Sequence, residues 1–273
     1  MKLSRCSGPE RRQPEIANVV SLLKNRGVKL LTFPPNFGSL TVAILLIGFS
    51  VVRGTAAPAT TIPADNPIPR QHGWLKECED RIAAAQGKPV DILFIGDSIT
   101  QNFVEFPNKG WNLVGGSVWN KHYAQRNALN LGVGSDGTEH ILWRLDRENI
   151  KDFKPKLIVL LAGVNDMEYS PEDIAAGTKA VLDKCRAMYP AAKIILMAIL
   201  PNGRNPAKTA AANQITKTYA DNENVFYLDL GPSMPVAGTN ITGVGRDHVH
   251  LTSEGYVIWA SNLDPLLDKL MPH

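Results

Sequence analysis

Cysteine is scarce: the chain of 273 residues has three, Cys6, Cys78 and Cys185. No cysteine or histidine spacing matches a zinc site, so a structural zinc module is excluded. No apolar run reaches the ~20 residues that cross a bilayer comfortably as a helix. Basic charge is also missing where a nucleic-acid binder would need it. The formal net charge is +3, but residues 1–53 hold eight Lys/Arg against two Asp/Glu. Taking these from the totals of 29 and 26 leaves 21 basic and 24 acidic residues in the rest of the chain. A region near −3 carries no electrostatic footprint for nucleic acid. With 44% apolar and 20% charged residues and no internal repeat, neither disorder nor a fibrous repeat is indicated.

The basic front segment explains its own charge. Seven Lys/Arg precede "LTVAILLIGFSVV" (Leu40 to Val52), which runs into Arg53 and "GTAAPA". That is the order of n-region, h-region and small-residue cleavage site in an export signal. Residues 1–57 are therefore expected to be an export signal with a long basic n-region, with a retained membrane anchor as the alternative. Repeated prolines over 58–69 favour extended backbone and read as a linker. One domain is expected over 70–273. In an exported protein Cys78 and Cys185 could be bridged; two buried thiols on separate helices is the simpler expectation.

From Arg70 onward, apolar runs of strand length alternate with stretches of helical period. The runs are "VDILFIG" from Val90, "ALNLG" from Ala128, "KLIVLLAG" from Lys156, "KIILMAIL" from Lys193 and "VFYLDL" from Val225. Near-continuous apolar character predicts strands covered on both faces, as in a parallel sheet. Helices are expected over Trp74–Gln86, Gly137–Glu148, Pro171–Tyr189, Pro206–Asp221 and Thr252–Leu270. The fold class is thus α/β, a three-layer α/β/α sandwich with a five-stranded parallel sheet and no insertion large enough for a lid. Ligands of such sheets sit beyond the carboxyl ends of the strands. There the sequence has Gly96-Asp97-Ser98, Gly132 to Asp136, Gly163 to Asp166 and "PNGRN", Pro201 to Asn205.

Ser98 has three readings: a helix N-cap, part of a phosphate-cradling loop, or a nucleophile. No dinucleotide fingerprint or Walker-type lysine accompanies it, which weakens the second. The third gains from "GRDHVHLTSEGY" (Gly245 to Tyr256). A hydroxyl becomes a good nucleophile when a base takes its proton, and an imidazole serves when a third group fixes its tautomer. Asp247 and His250 can meet within one turn; His248, adjacent to Asp247, is the competing base. An acyl transfer also needs donors for the oxyanion. The backbone N–H groups of Ser98 and Gly132 and the side-chain amide of Asn165 are the candidates, although Gly132 and Asn165 could equally be plain turn residues.

These residues carry a family resemblance. "GDSIT", "NLGVGSD", "GVND" and "DHVH" resemble, in order, the four signature blocks of the SGNH (GDSL-like) hydrolases. The run Asn130 to Asp166 looks like the catalytic subunit of the platelet-activating-factor acetylhydrolases and their bacterial relatives. The resemblance implies a flavodoxin-like sheet and a carboxylic ester hydrolase that needs no cofactor. Ser98 would be nucleophile, His250 general base, Asp247 its orienting acid, and Ser98, Gly132 and Asn165 the oxyanion hole. Ile99, Ser135 and Val164 depart from the family's usual residues without removing a reacting group, which leaves substrate preference open.

A short acyl group, acetyl above all, is expected, on an acetylated carbohydrate or a lipid; the resemblance also implies a homodimer. Contact with a membrane is expected through the N-terminal segment alone, and the location is periplasmic or extracellular. Trp111, Trp119 and Trp143 read either as sugar platforms or as core. An O-acyltransferase using the same serine, or a catalytically silent envelope binding domain, are the alternative functions.

Overall fold

The structure is a computed structural model that describes residues 67–71, 73–104 and 114–272. Residues 1–57, expected to be an export signal, and residues 58–66 of the expected linker lie outside the described residues, as do Cys6 and Trp111.

All five apolar runs form strands: β1 (Ile92–Gly96), β2 (Ala128–Gly132), β3 (Leu157–Leu161), β4 (Lys193–Met197) and β5 (Val225–Leu228). They make one parallel sheet in the order β2-β1-β3-β4-β5. Interleaved with them are the helices α1 (Lys76–Ala85), α2 (Ser98–Gln101), α3 (Gly116–His122), α4 (Thr138–Leu145), α5 (Pro171–Met188), α6 (Pro206–Thr216) and α7 (Ser253–Leu270). A two-residue hairpin, β6 (Val236–Ala237) with β7 (Asn240–Ile241), lies apart from the sheet.

Successive strand side chains point to opposite faces, so a run that is apolar throughout must be buried twice. Ile92, Phe94, Leu157, Val159 and Leu161 pack with Trp119, Tyr123, Trp259 and Leu263 of the α3 and α7 layer. Leu93, Ile95, Ile158, Leu160 and Leu196 pack with Cys78, Ile141, Leu145, Leu182 and Cys185 of the α1, α4 and α5 layer. The cysteines are free buried thiols, not a bridge; burial pushes the Cys185 thiol up to about 12.

Helix starts follow the local chemistry. Ser170 and Asn205 accept from the N–H of Asp173 and Lys208, and each is followed by a proline that gives up no needed donor. Thr252 does the same for Gly255 and caps α7. The expected helix to Asp221 ends at Thr216 and tightens into a 3₁₀ turn, Lys217–Tyr219. Helix α3 has no counterpart in the sequence reading. Its glycine-led sequence is a weak helix former, and burial of Val118 and Trp119 holds it in place.

The two described tryptophans among the candidate sugar platforms, Trp119 and Trp143, differ in their surroundings. Trp119 is buried among Phe94, Phe103 and Tyr123, with ring centroids 5.1, 5.9 and 5.6 Å away. Trp143 is half-buried, with the Arg147 guanidinium 4.0 Å over its ring and Trp74 at 6.0 Å.

The order β2-β1-β3 means the chain leaves β1 toward one side and returns on the other, opening a crevice at the carboxyl ends of β1 and β3. Beside it lies a buried ion cluster. Arg144, fully enclosed, donates to Asp136 Oδ2 at 2.7 Å, Glu148 Oε1 at 3.1 Å and the Gly96 carbonyl at 3.2 Å. Removing one partner of such a cluster strands the others in a low-dielectric site. Arg144→Met should therefore lower the unfolding free energy by about 3–5 kcal/mol in urea denaturation; a loss within experimental error of zero would mean the cluster is not organised as described.

Candidate active site

Strand β1 ends at Gly96, and Asp97 caps the short helix that follows, its Oδ1 accepting from the Ile99 N–H at 2.8 Å. The capping role considered for Ser98 thus falls to Asp97, and Ser98 is the first helical residue. Asp97 is completely buried, and burial pushes its carboxyl up to about 6 against the pull of the Ile99 bond and of His250 and Arg204.

The loop before α7 carries the next two groups. Val249 and Leu251 are buried and anchor it. Asp247 Oδ1 accepts from the N–H groups of Val249 and His250, both at 3.0 Å. Its other oxygen meets His250 Nδ1 at 2.6 Å, and His250 Nε2 lies 2.8 Å from Ser98 Oγ. Partial burial raises the Asp247 carboxyl, but the bonds from His250 and the two N–H groups outweigh it and hold it below the usual range. Tyr256 of α7 donates to the Ile99 carbonyl at 2.7 Å and ties the His250 side of the site to the serine side. His248, the competing base, has a left-handed φ of 58° and lines a separate cavity of about 530 Å³ with Ile199 and Val236. Ser98 and His250 line a cleft of about 1200 Å³ with Asn165, Gly134 and Ser135.

Gly163, two residues past the end of β3, has φ 113°, a conformation that side chains rarely adopt, and a Cβ there would lie 2.7 Å from Ile199 Cδ1. This turn leads into Asn165. Its Nδ2 donates to the Asp136 carbonyl at 2.9 Å, and its Oδ1 accepts from Arg204 at 2.8 Å. Gly132 is placed differently. Its N–H donates to Asn130 Oδ1 at 2.8 Å, and a Cβ would sit 2.3 Å from the Gln101 nitrogen. The glycine is therefore needed for the close approach of β2 to α2, and its amide is engaged. Two residues on, Gly134 and Ser135 face the cleft; a Cβ on Gly134 would be 3.9 Å from Ser98 Cβ, and Ser135 has φ 62°. Among the described residues their N–H groups have no hydrogen-bond partner. The sequence placed Gly132 to Asp136 on the rim but gave the donor role to Gly132; the "GS" after "NLGV" was the signal for these two amides.

Contrary to the sequence expectation of no dinucleotide fingerprint, Gly132, Gly134 and Gly137, at the same rim as Ser98, do have a G-x-G-x-x-G spacing between β2 and α4. The helix start that would hold a pyrophosphate is occupied: Gly137 N–H donates to His140, and Thr138 N–H to Asp166.

With this geometry in place the chain can be compared with known proteins. A model of the GDSL-like lipase/acylhydrolase family matches residues 94–258. The chain belongs to the GDSL-like lipase/acylhydrolase family. It is 30% identical over 225 residues to the platelet-activating factor acetylhydrolase IB subunit alpha2 of Homo sapiens, covering 80% of this chain and 94% of that one. The alpha1 subunit of Homo sapiens is 27% identical over 220 residues, 77% of this chain and 91% of that one. Among solved structures, a GDSL-like lipase from Bacteroides thetaiotaomicron superposes with a TM-score of 0.59 at 20% identity, over 73% of this chain and 98% of that one. The GDSL family member described here is a carboxylic ester hydrolase with the sheet and helix layers of that fold.

Asp166, next to Asn165, is buried; burial first and the neighbouring Glu139 charge second push its carboxyl up from 3.8 to about 7, against the Thr138 bonds. A carboxyl with a higher pKa folded than unfolded binds more protons in the native state, so the stability it gives at low pH is lost as pH rises through the folded value. The urea midpoint of the wild type should fall between about pH 4 and pH 7 more steeply than that of Asp166→Asn. Equal slopes would remove Asp166 as the source.

Proposed function

We propose that this esterase hydrolyses short-chain acyl esters, acetyl esters foremost, through Ser98, His250 and Asp247. The observation that carries the reading is the unbroken line from hydroxyl to imidazole to carboxylate, 2.8 and 2.6 Å, in an open cleft. Asp247 holds the His250 tautomer with Nδ1–H toward itself and Nε2 toward Ser98. Nε2 takes the Ser98 proton as Oγ attacks the acyl carbonyl, and returns it to the leaving alcohol. The oxyanion is received by the Ser98 N–H and the Asn165 amide. The Gly134–Ser135 turn takes the place first given to Gly132, whose amide is bound to Asn130. A water then attacks the acyl-enzyme with His250 again as base. The His250 side chain is 36% exposed, which favours hydrolysis over transfer to another alcohol.

The alcohol is read from the walls. Glu77, Gln101, Arg204, Arg246 and Glu254 rim the cleft, and Val114 and Leu251 supply its aliphatic surface. A polyhydroxy alcohol would meet hydrogen-bonding groups on several sides of this cleft. The name of the relatives, acetylhydrolase, agrees with an acetyl group. A polar acetylated alcohol, a carbohydrate before a lipid, is the substrate class proposed, with export through residues 1–57 bringing the enzyme to it.

Hydrolysis of p-nitrophenyl acetate, acetylated xylan and acyl lipids of increasing chain length tests the assignment. Ser98→Ala and His250→Ala should each lower kcat by roughly 10³-fold or more, with KM little changed. His248→Ala should behave as wild type. Wild-type turnover by Ser98→Ala, or loss on His248→Ala in place of His250→Ala, would refute the roles given.

A further inference from the structure

The loop after β4, "PNGRN", reaches across to the end of β3. Within it Asn202 is buried, donating to the Leu200 carbonyl at 2.9 Å and to Thr209 Oγ1 at 3.0 Å. Asn202 Oδ1 in turn accepts from the Arg204 backbone N–H at 3.0 Å, so a buried side chain sets where Arg204 leaves the loop. The Arg204 side chain then crosses to β3. Its Nη1 donates to Asn165 Oδ1 at 2.8 Å and to the Val164 carbonyl at 3.0 Å.

A carboxamide has two ends of similar shape and opposite hydrogen-bonding character, and alone it can present either to a ligand. Here both orientations are not equivalent. Asn165 Nδ2 donates to the Asp136 carbonyl at 2.9 Å, which uses one of its two hydrogens and leaves the second for the cleft. Reversing the amide would put oxygen against the Asp136 carbonyl and NH₂ against the Arg204 guanidinium, two repulsive contacts. The bond to Oδ1 is also charge-assisted. It draws electron density toward the oxygen and makes the remaining N–H a stronger donor.

We propose that Arg204 is a positioning residue of the oxyanion hole: it fixes which end of the Asn165 amide faces the acyl oxygen and strengthens that N–H as negative charge develops. The proposal rests on the reading of Asn165 as an oxyanion donor. A donor preorganised toward the transition state and not the ground state raises kcat and leaves KM nearly constant. The arginine is exposed and its removal opens no core. Both bonds leave from one nitrogen, Nη1, so a lysine ammonium, with three N–H donors on a single nitrogen but a shorter reach, can replace them only in part.

The test compares Arg204→Ala, Arg204→Lys, Asn165→Ala and the double variant Arg204→Ala/Asn165→Ala in the full-length protein, with p-nitrophenyl acetate as substrate. Arg204→Ala should lower kcat about tenfold to a hundredfold with KM within about twofold and an unchanged thermal midpoint. Arg204→Lys should recover part of the loss, and so should added guanidinium ion at concentrations far below denaturing. The double variant should be no slower than Asn165→Ala, because Arg204 acts through that amide. Losses that multiply in the double variant would overturn the proposal. So would an effect confined to KM, which would mark Arg204 as a substrate-binding group, or wild-type kcat for Arg204→Ala. Wild-type kcat for Asn165→Ala would overturn it for a different reason, by removing the oxyanion reading beneath it.

Discussion

A parallel sheet ends all of its strands on one edge, and the Ser98 side of the site, with the turns around Gly134 and Asn165, follows from that constraint. The residues that continue β1, β2, β3 and β4 are brought side by side whatever their distance in the chain. At the same edge the ladder stops, and backbone carbonyls that would have accepted from the next residue need other donors. The position of β1 between β2 and β3 adds a crevice at their carboxyl ends, into which the Ser98 turn rises.

Arginines meet much of the demand for donors. Arg144 donates to the Gly96 carbonyl, Arg81 to those of Asn130 and Gly132, Arg70 to that of Gly134, and Arg204 to that of Val164. The planar guanidinium, with five N–H donors, can bridge a carbonyl and a side chain at once. Arg144 does so between the end of β1 and Asp136, and Arg204 between the end of β3 and Asn165. Burying a cation is expensive by itself, and Arg144 is tolerated because Asp136 and Glu148 share its charge. The result is a rim whose loops are held by directional bonds, which is the condition for an oxyanion site whose donors do not reorganise during reaction.

The strands were legible because burial on two faces leaves an unmistakable apolar run. The caps Ser170 and Thr252 and the prolines at the starts of α5 and α6 made most helix beginnings legible too. Helix α3 was not, since Trp119 and its neighbours are helical only by packing against Phe94 and Phe103. In the site, Ser98, Asp247 and His250 could be singled out from spacing, because a hydroxyl, a carboxylate and an imidazole in that order are chemically distinctive. Gly132 was named as an amide donor from its lack of a side chain, but the close packing of Gln101 and the Asn130 bond account for that glycine. The arginines were silent, because nothing local distinguishes one that staples a rim from one that faces solvent.

Amino-acid order alone determined the alternation of strand and helix, the layered architecture and which hydroxyl, carboxylate and imidazole groups were candidates, since periodicity and side-chain chemistry are local properties. Tertiary structure decided which histidine meets Ser98, that Cys78 and Cys185 stay apart as buried thiols, and that Trp119 fills the core. It also decided which backbone amides stay unbonded at the cleft and which guanidinium orients Asn165. Those outcomes depend on distances between segments far apart in the chain, and such distances exist only once the sheet has brought the strand ends together.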